Sequence, residues 1–135
     1  MQRRPNRTLG RGYDEFWASS NRNELRLPHC ARCNGLTWPP INACEFCGSN
    51  QLTWQAMSGR GKIVSWCTFE HDYYGGILPI PYDTILVQLE EGPLFLSNPD
   101  GFNWRDIEFG MPVSVKFTEC ADAAGVFNLP VFERA

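Results

Sequence analysis

The residues in this chain best suited to chemistry are sulfur ligands. Cys30-Ala31-Arg32-Cys33 and Cys44-Glu45-Phe46-Cys47 form two Cys-x2-Cys knuckles with ten residues between them. A zinc ion takes four soft or borderline ligands in a tetrahedron, and thiolates spaced this way supply one edge of it. Gly35 and Gly48 follow the knuckles closely, which suits a tight turn that aims backbone N–H groups at the sulfurs. The intervening Leu36-Thr37-Trp38-Pro39-Pro40 can run out as a strand and return, the shape of a zinc ribbon. The spacing predicts a structural Zn2+ held by Cys30, Cys33, Cys44 and Cys47. Four thiolates leave no open coordination position, which argues against turnover at the metal. A rubredoxin-type iron centre uses a similar ligand set and remains an alternative. Paired disulfides are disfavoured outside an oxidising compartment.

Other candidate groups carry less. His29 directly precedes Cys30 and reads as a neighbour of the metal or a surface group. Cys67 and Cys120 fall in strand candidates and read as small buried hydrophobes. A nucleophilic thiol needs a base placed by the fold, and nothing orients His71, the nearest candidate to Cys67. No Gly-rich phosphate loop precedes a helix, and no Ser/His/Asp set or carboxylate pair stands out. The sequence reads as a binder or scaffold with no catalytic residue of its own.

The elements that must position these groups follow from pattern. Arg3, Arg4, Arg7 and Arg11, with Pro5, Gly10 and Gly12, predict a flexible basic arm. Tyr13 to Glu24 is the one helix candidate. Tyr13, Phe16, Trp17 and Ser20 share a face, and Asp14 and Glu15 sit in the favourable first turn. A helix this short must dock that face to persist. After the cysteines, Leu52–Ala56, Lys62–Phe69, Thr84–Glu90, Leu94–Ser97, Val113–Phe117 and Val126–Phe132 read as strands. Turn signals separate them, and Glu70 to Tyr82 reads as a long loop. The class is mainly β: a helix, a ribbon and a five- to six-stranded barrel, divided at 1–26, 27–50 and 51–135.

With 43% hydrophobic and 20% charged residues, the composition is that of an ordinary globular chain. No window approaches the roughly 18 apolar residues of a membrane span, and the basic start lacks the apolar stretch of a secretory signal. The expectation is cytoplasmic. Residues 1–62 hold nine Lys/Arg against four Asp/Glu, and residues 63–135 three against eleven. An acidic second half argues against gripping nucleic-acid phosphates, which needs a basic surface.

The order of motifs resembles a known family. Phe16-Trp17 on a helix precedes His29-Cys30-x2-Cys33-Asn34-Gly35, Pro39-Pro40 and Cys44-x2-Cys47-Gly48-Ser49. Then come Trp54, Ser58-Gly59-Arg60-Gly61-Lys62-Ile63, Pro81-Tyr82, Ile107-x-Phe109-Gly110-Met111-Pro112-Val113 and Leu129-Pro130-Val131-Phe132. This looks like the family with an N-terminal helix, a rubredoxin-like zinc ribbon and a C-terminal oligonucleotide/oligosaccharide-binding (OB) barrel that accompanies thiolases. The resemblance covers residues 13–133. It implies a non-catalytic subunit beside a thiolase-like large subunit that cleaves or forms C–C bonds in acyl-CoA thioesters. Family members accompany acetoacetyl-CoA thiolases, steroid side-chain aldolases, benzoylsuccinyl-CoA thiolase and the diacetylphloroglucinol acyltransferase.

Under that reading, Tyr73-Tyr74-Gly75-Gly76 or the Asn98–Trp104 segment, with Phe102 and Trp104, is expected to reach the partner's substrate entrance, since aromatic residues anchor interfaces. Arg3, Arg4, Arg7, Arg11 and Arg60 are candidates for the CoA phosphates, because guanidinium pairs with phosphate in bidentate fashion. The Glu70–Pro81 stretch is longer and more aromatic than the simplest family pattern needs, so no substrate carries over. The alternative function is a nucleic-acid-binding ribbon/OB module, favoured by the basic arm and by fold habit.

Overall fold

The computed structural model describes residues 1–10 and 12–135. Its elements are β1 (Gln2–Arg3), α1 (Asp14–Asn21), β2 (Arg26–Cys30), β3 (Leu52–Ala56), β4 (Arg60–Phe69), β5 (Tyr82–Leu89), β6 (Leu94–Ser97), β7 (Pro112–Asp122) and β8 (Gly125–Arg134). A 3-10 turn lies at Trp104–Asp106.

Strand β4 runs antiparallel to both β5 and β7, β5 pairs with β6, and β7 pairs with β8 over its whole length. The ring closes where the chain leaving β6 meets β8 in a parallel bridge, Pro99 to Phe132. There the Asp100 N–H donates to the Phe132 carbonyl at 2.8 Å and the Phe132 N–H to the Asn98 carbonyl at 3.1 Å. The circuit β4-β5-β6-β8-β7 is the five-stranded Greek-key order of an OB barrel. A register shift between Ile63 and Ser65 lets β4 bend between its two neighbours, as a bulge does.

The barrel fills from alternating positions. Ile85, Val87 and Leu89 on β5 are buried with Ile63, Phe95, Val113 and Phe132 from the other strands. Each such side chain contributes roughly 1.5–3 kcal/mol of transfer free energy. The Ser58-Gly59-Arg60-Gly61 motif has a steric cause. Gly59 has φ +82° and faces Val115, while a Cβ on Gly61 would stand 2.6 Å from the Gln88 carbonyl oxygen. Strand β4 therefore enters the barrel through a gap that only glycine fits.

Strands β2 and β3 form a separate antiparallel pair, with Cys30 opposite Leu52 and Arg26 opposite Ala56. Leu52–Ala56 thus belongs to the ribbon's sheet. The Leu36–Pro40 segment forms only an isolated bridge, Leu36 to His29, on the edge of β2 that β3 leaves open; Pro39 and Pro40 bring no N–H to extend it. The ribbon packs on the barrel through Trp38, which stacks on Phe95 at 5.2 Å. Phe16 of α1 joins them, 4.7 Å from Trp38, so helix, ribbon and barrel share one core.

Helix α1 ends at Asn21, three residues before the expected end; Asn23 takes φ +61°. The expected face docks: Phe16 and Ser20 are buried, and the Ser20 hydroxyl donates to the Asn128 carbonyl at 2.6 Å.

The N-terminal arm departs from expectation. Instead of a loose basic tail, β1 pairs in parallel with the end of β7, Gln2 to Cys120 and Arg3 to Ala121. Strand β4 pairs only with the first residues of β7, which leaves the later ones free on that edge for the arm. Arg7 fastens it: its Nε lies 2.7 Å from Asp122 Oδ2, and this pair is almost wholly buried. The Arg7 guanidinium also sits 4.1 Å over the Phe127 ring. Composition alone missed this, because the fixing carboxylate lies 115 residues away. Among the described residues, no helix is long and apolar enough to cross a membrane.

Candidate metal centre and aromatic cleft

The two knuckles fold alike. The Cys30 N–H donates to the Gly35 carbonyl and the Asn34 N–H to the Cys30 carbonyl, each at 2.9 Å. The second knuckle repeats this: Cys44 N–H to the Ser49 carbonyl at 2.8 Å and Gly48 N–H to the Cys44 carbonyl at 3.0 Å. Both turns also aim a backbone N–H at a sulfur, Gly35 at Cys33 Sγ and Phe46 at Cys44 Sγ, each 3.4 Å away. Thr37, buried between them, accepts the Glu45 N–H at 3.1 Å.

The four sulfurs converge, all within 4.8 Å of one another. The shortest approaches cross between knuckles, Cys30 to Cys47 at 3.6 Å and Cys33 to Cys44 at 3.5 Å. A tetrahedral ion with metal–sulfur bonds of about 2.3 Å needs ligand separations of roughly 3.8 Å. The donor set fits such an ion, and all six cysteines are free thiols. Without a cation the four thiols compete for ionisation. The Cys47 backbone N–H, with other donors, draws Cys44 down to about 6. Cys33 is pushed up to about 12: the Gly35 N–H favours its thiolate, but its sulfur neighbours and burial outweigh that. A bound dication removes this conflict by coordinating all four as thiolates, with release of their protons. His29 contributes no ligand atom to the cluster.

Of the other cysteines, Cys120 is buried as expected, whereas Cys67 is exposed. It stands opposite Thr84 in a strand whose later residues lie largely open to solvent.

A second feature lies where arm, helix, ribbon and barrel meet: a cleft of about 700 Å³. Phe16, Trp17, Trp38, Phe95 and Phe127 line one part of it, and Phe69, Tyr73, Tyr74 and Tyr82 another. Phe69 stacks on Tyr82 at 5.0 Å and meets Tyr73 edge-on at 6.3 Å. Thus the structure brings together two sets that the sequence named apart, Tyr73 and Tyr74 of the loop with Arg4 and Arg7 of the arm. The Asp72 carboxylate accepts the N–H groups of Tyr74 and Gly76, which shapes the loop with Gly75 and Gly76 at positive φ.

The remaining candidates scatter. Trp104 and Phe102 do not line the cleft. The Trp104 N–H donates to Asp83 Oδ2 at 3.0 Å, so its segment reaches the barrel end where the Tyr73 loop emerges. Arg134 covers Phe102 at 5.6 Å. Arg60 is tied to Glu90 at 2.9 Å on the open surface, Arg3 is exposed, and Arg11 lies outside the described residues. Sequence reading missed Trp38, Phe95 and Phe127 as cleft residues. Their aromaticity was the available signal, but only the fold gathers them.

A four-cysteine ribbon feeding a closed OB barrel defines a two-domain class of protein. Residues 17–53 match the family described as the ChsH2 rubredoxin-like zinc ribbon domain, and residues 54–118 the ChsH2 C-terminal OB-fold domain. The chain belongs to this zinc-ribbon and OB-fold family. It is 30% identical over 132 residues to a probable enoyl-CoA hydratase alpha subunit of Thermomonospora curvata, covering 98% of this chain and 40% of that one. It is 34% identical over 80 residues to a DUF35 domain-containing scaffold protein of Pyrococcus furiosus, covering 59% of each. The chain therefore spans less than two thirds of these relatives' lengths. Among solved structures, an Ltp2-ChsH2(DUF35) aldolase chain superposes with a TM-score of 0.83 at 29% identity, over 96% of this chain and 98% of that chain.

Proposed function

We propose that this chain is a non-catalytic zinc-binding subunit of a complex that makes or breaks C–C bonds in acyl-CoA thioesters, alongside a thiolase-like large subunit. The observation that carries the reading is the end-to-end likeness to the ChsH2-type chain of an aldolase. Its metal cluster supports it as well. Four thiolates around one ion brace the ribbon and leave no position for substrate, so the ion's work is structural and zinc is the fitting metal. The reactive groups then belong to the partner.

In this reading the chain stabilises the large subunit and helps shape its substrate entrance. The end of the barrel carrying Tyr73, Tyr74, Phe102 and Trp104 is the surface offered. Tyr73 is 65% and Trp104 45% exposed, the state in which aromatic side chains gain most from being covered. Of the arginines considered for CoA phosphates, Arg7 is held by Asp122, so the exposed Arg3 is better placed.

The test is co-expression with a thiolase-like large subunit from the same organism. The large subunit should co-purify and lose solubility or acyl-CoA activity when this chain is omitted. A large subunit equally soluble and active alone, with nothing retained on the tagged small chain, would refute the proposal. Elemental analysis should give one zinc per chain; iron with a rubredoxin-like visible spectrum would overturn the metal assignment.

A further inference from the structure

Arg4 is the unusual member of the aromatic cleft. Its backbone N–H donates to the Ala121 carbonyl at 2.9 Å, which fixes the residue beside β7. Its Nη2 donates to Asn98 Oδ1 at 3.0 Å, and Asn98 in turn donates to the Asp83 carbonyl at 2.8 Å. Asn98 is thus held with its oxygen toward the guanidinium. Yet Arg4 has no carboxylate within 4.0 Å among the described residues, whereas Arg7, Arg22, Arg26 and Arg60 each do. The side chain is half-buried, and burial pulls its pKa below the usual guanidinium value. A guanidinium carries five donors, and a partly desolvated cation without a counter-charge is costly. The groups around it are Cys120, Tyr74 and Tyr82, none of them anionic at neutral pH.

We propose that this cleft binds a planar, largely apolar molecule bearing a single carboxylate, with its rings against the aromatic walls and its carboxylate on Arg4. The lining holds two stacked aromatic pairs, Phe69 with Tyr82 and Trp38 with the buried Phe95, and of these Phe69, Tyr82 and Trp38 are only partly buried. Aromatic rings favour offset-stacked or edge-on partners, so a planar ligand suits this lining. One free guanidinium matches one negative charge. A phosphate would ask for a second cation, and Arg7, the other arginine in the cleft, is committed to Asp122. The site lies wholly on this chain, so the inference goes beyond the subunit role and does not need a large subunit.

The test is calorimetric titration of the full metal-loaded chain with 2-naphthoate and with its neutral counterpart, 2-naphthamide. The carboxylate should bind at least about tenfold more tightly, the order expected of one charged hydrogen-bonded contact. Arg4→Gln should erase that preference while leaving naphthamide affinity within about twofold, and Arg4→Lys should retain part of it. Arg22→Gln, outside the cleft, should change neither. Equal binding of the two ligands by the unmodified chain would overturn the proposal, and so would a preference that survives Arg4→Gln. Displacement of naphthoate by adenosine 3′,5′-bisphosphate would also overturn it, by making this a phosphate site. The two-ligand comparison on the unmodified chain needs no variant.

Discussion

At the scale of single residues, the four sulfurs do different work from the other two cysteines, and substitution should separate them. Cys44 is buried and Cys33 exposed, but in the proposed zinc centre each supplies one vertex of the same tetrahedron. Cys44→Ser replaces a thiolate with a poor zinc ligand and should abolish stoichiometric metal, as read by elemental analysis. Cys33→Ser should do the same despite its exposure, because coordination and not burial sets the cost. Cys67→Ser should leave metal content unchanged and move stability by no more than about 0.5 kcal/mol, as for other surface positions. A chain that kept its zinc after Cys33→Ser would contradict the four-thiolate centre. These four residues were legible in the sequence because knuckle spacing is a local property. The exposure of Cys67 was not, since it depends on whether a neighbouring element covers that end of β4.

At the scale of elements, the arm is the part whose attachment can be switched. Asp122 accepts from the Arg7 side chain and backbone N–H and from the Ala124 N–H. The Arg7 bond, foremost among these, holds its carboxyl well below the usual carboxylate range. Because the folded value is depressed, the stabilisation is complete above the unfolded value of about 3.9 and is lost only as pH falls below it. Protease cleavage within residues 1–10 should therefore be slow and flat across neutral pH and accelerate only in strong acid. Asp122→Asn should make the arm cleavable at pH 7, at a cost of about 3 kcal/mol, the low end for breaking a buried pair, because a released Arg7 can rehydrate. Protection unchanged by Asp122→Asn would show that the β1 pairing alone holds the arm. Most barrel strands were legible because Ile85, Val87 and Leu89 alternate cleanly. Strand β1 was not, because two residues bearing polar side chains carry no period and their pairing partner lies at the far end of the sequence. A further element-level expectation concerns Gly61. A Cβ there meets the β5 backbone, so Gly61→Ala should lower stability by about 1–3 kcal/mol, measured by denaturant midpoint.

At the scale of the whole molecule, the ribbon and the barrel share one core, and Trp38 is the side chain that carries the loop between the knuckles into it. Trp38 lies on the loop between the knuckles, and it stacks on Phe95, which meets Phe132 at 6.2 Å inside the barrel. Phe16 touches both Trp38 and Phe95. Sequence spacing foretold the ribbon and the barrel but not this seam, since Trp38 reads as a linker residue until the two units are placed together. The seam should carry the effect of metal loss beyond the ribbon. Structural zinc sites contribute about 10–16 kcal/mol of apparent binding free energy in isolated peptides, far more than the ribbon's own small core can replace. When a chelator removes the ion, the ribbon loop should loosen, Trp38 should leave Phe95, and α1 should lose the contact that seats Phe16. The five hydrogen-bonded strands, with Ile63, Val87 and Val113 fully buried between them, should persist. The expected result is a red-shifted tryptophan emission and a diminished near-ultraviolet dichroism, with strand signal retained and a lower thermal midpoint. Trp38→Phe should blunt the emission change and, by keeping an aromatic ring on Phe95, preserve most of the stability. If chelation instead left the near-ultraviolet spectrum intact, ribbon and barrel would be thermodynamically separate, and the shared aromatic core would be contact without coupling.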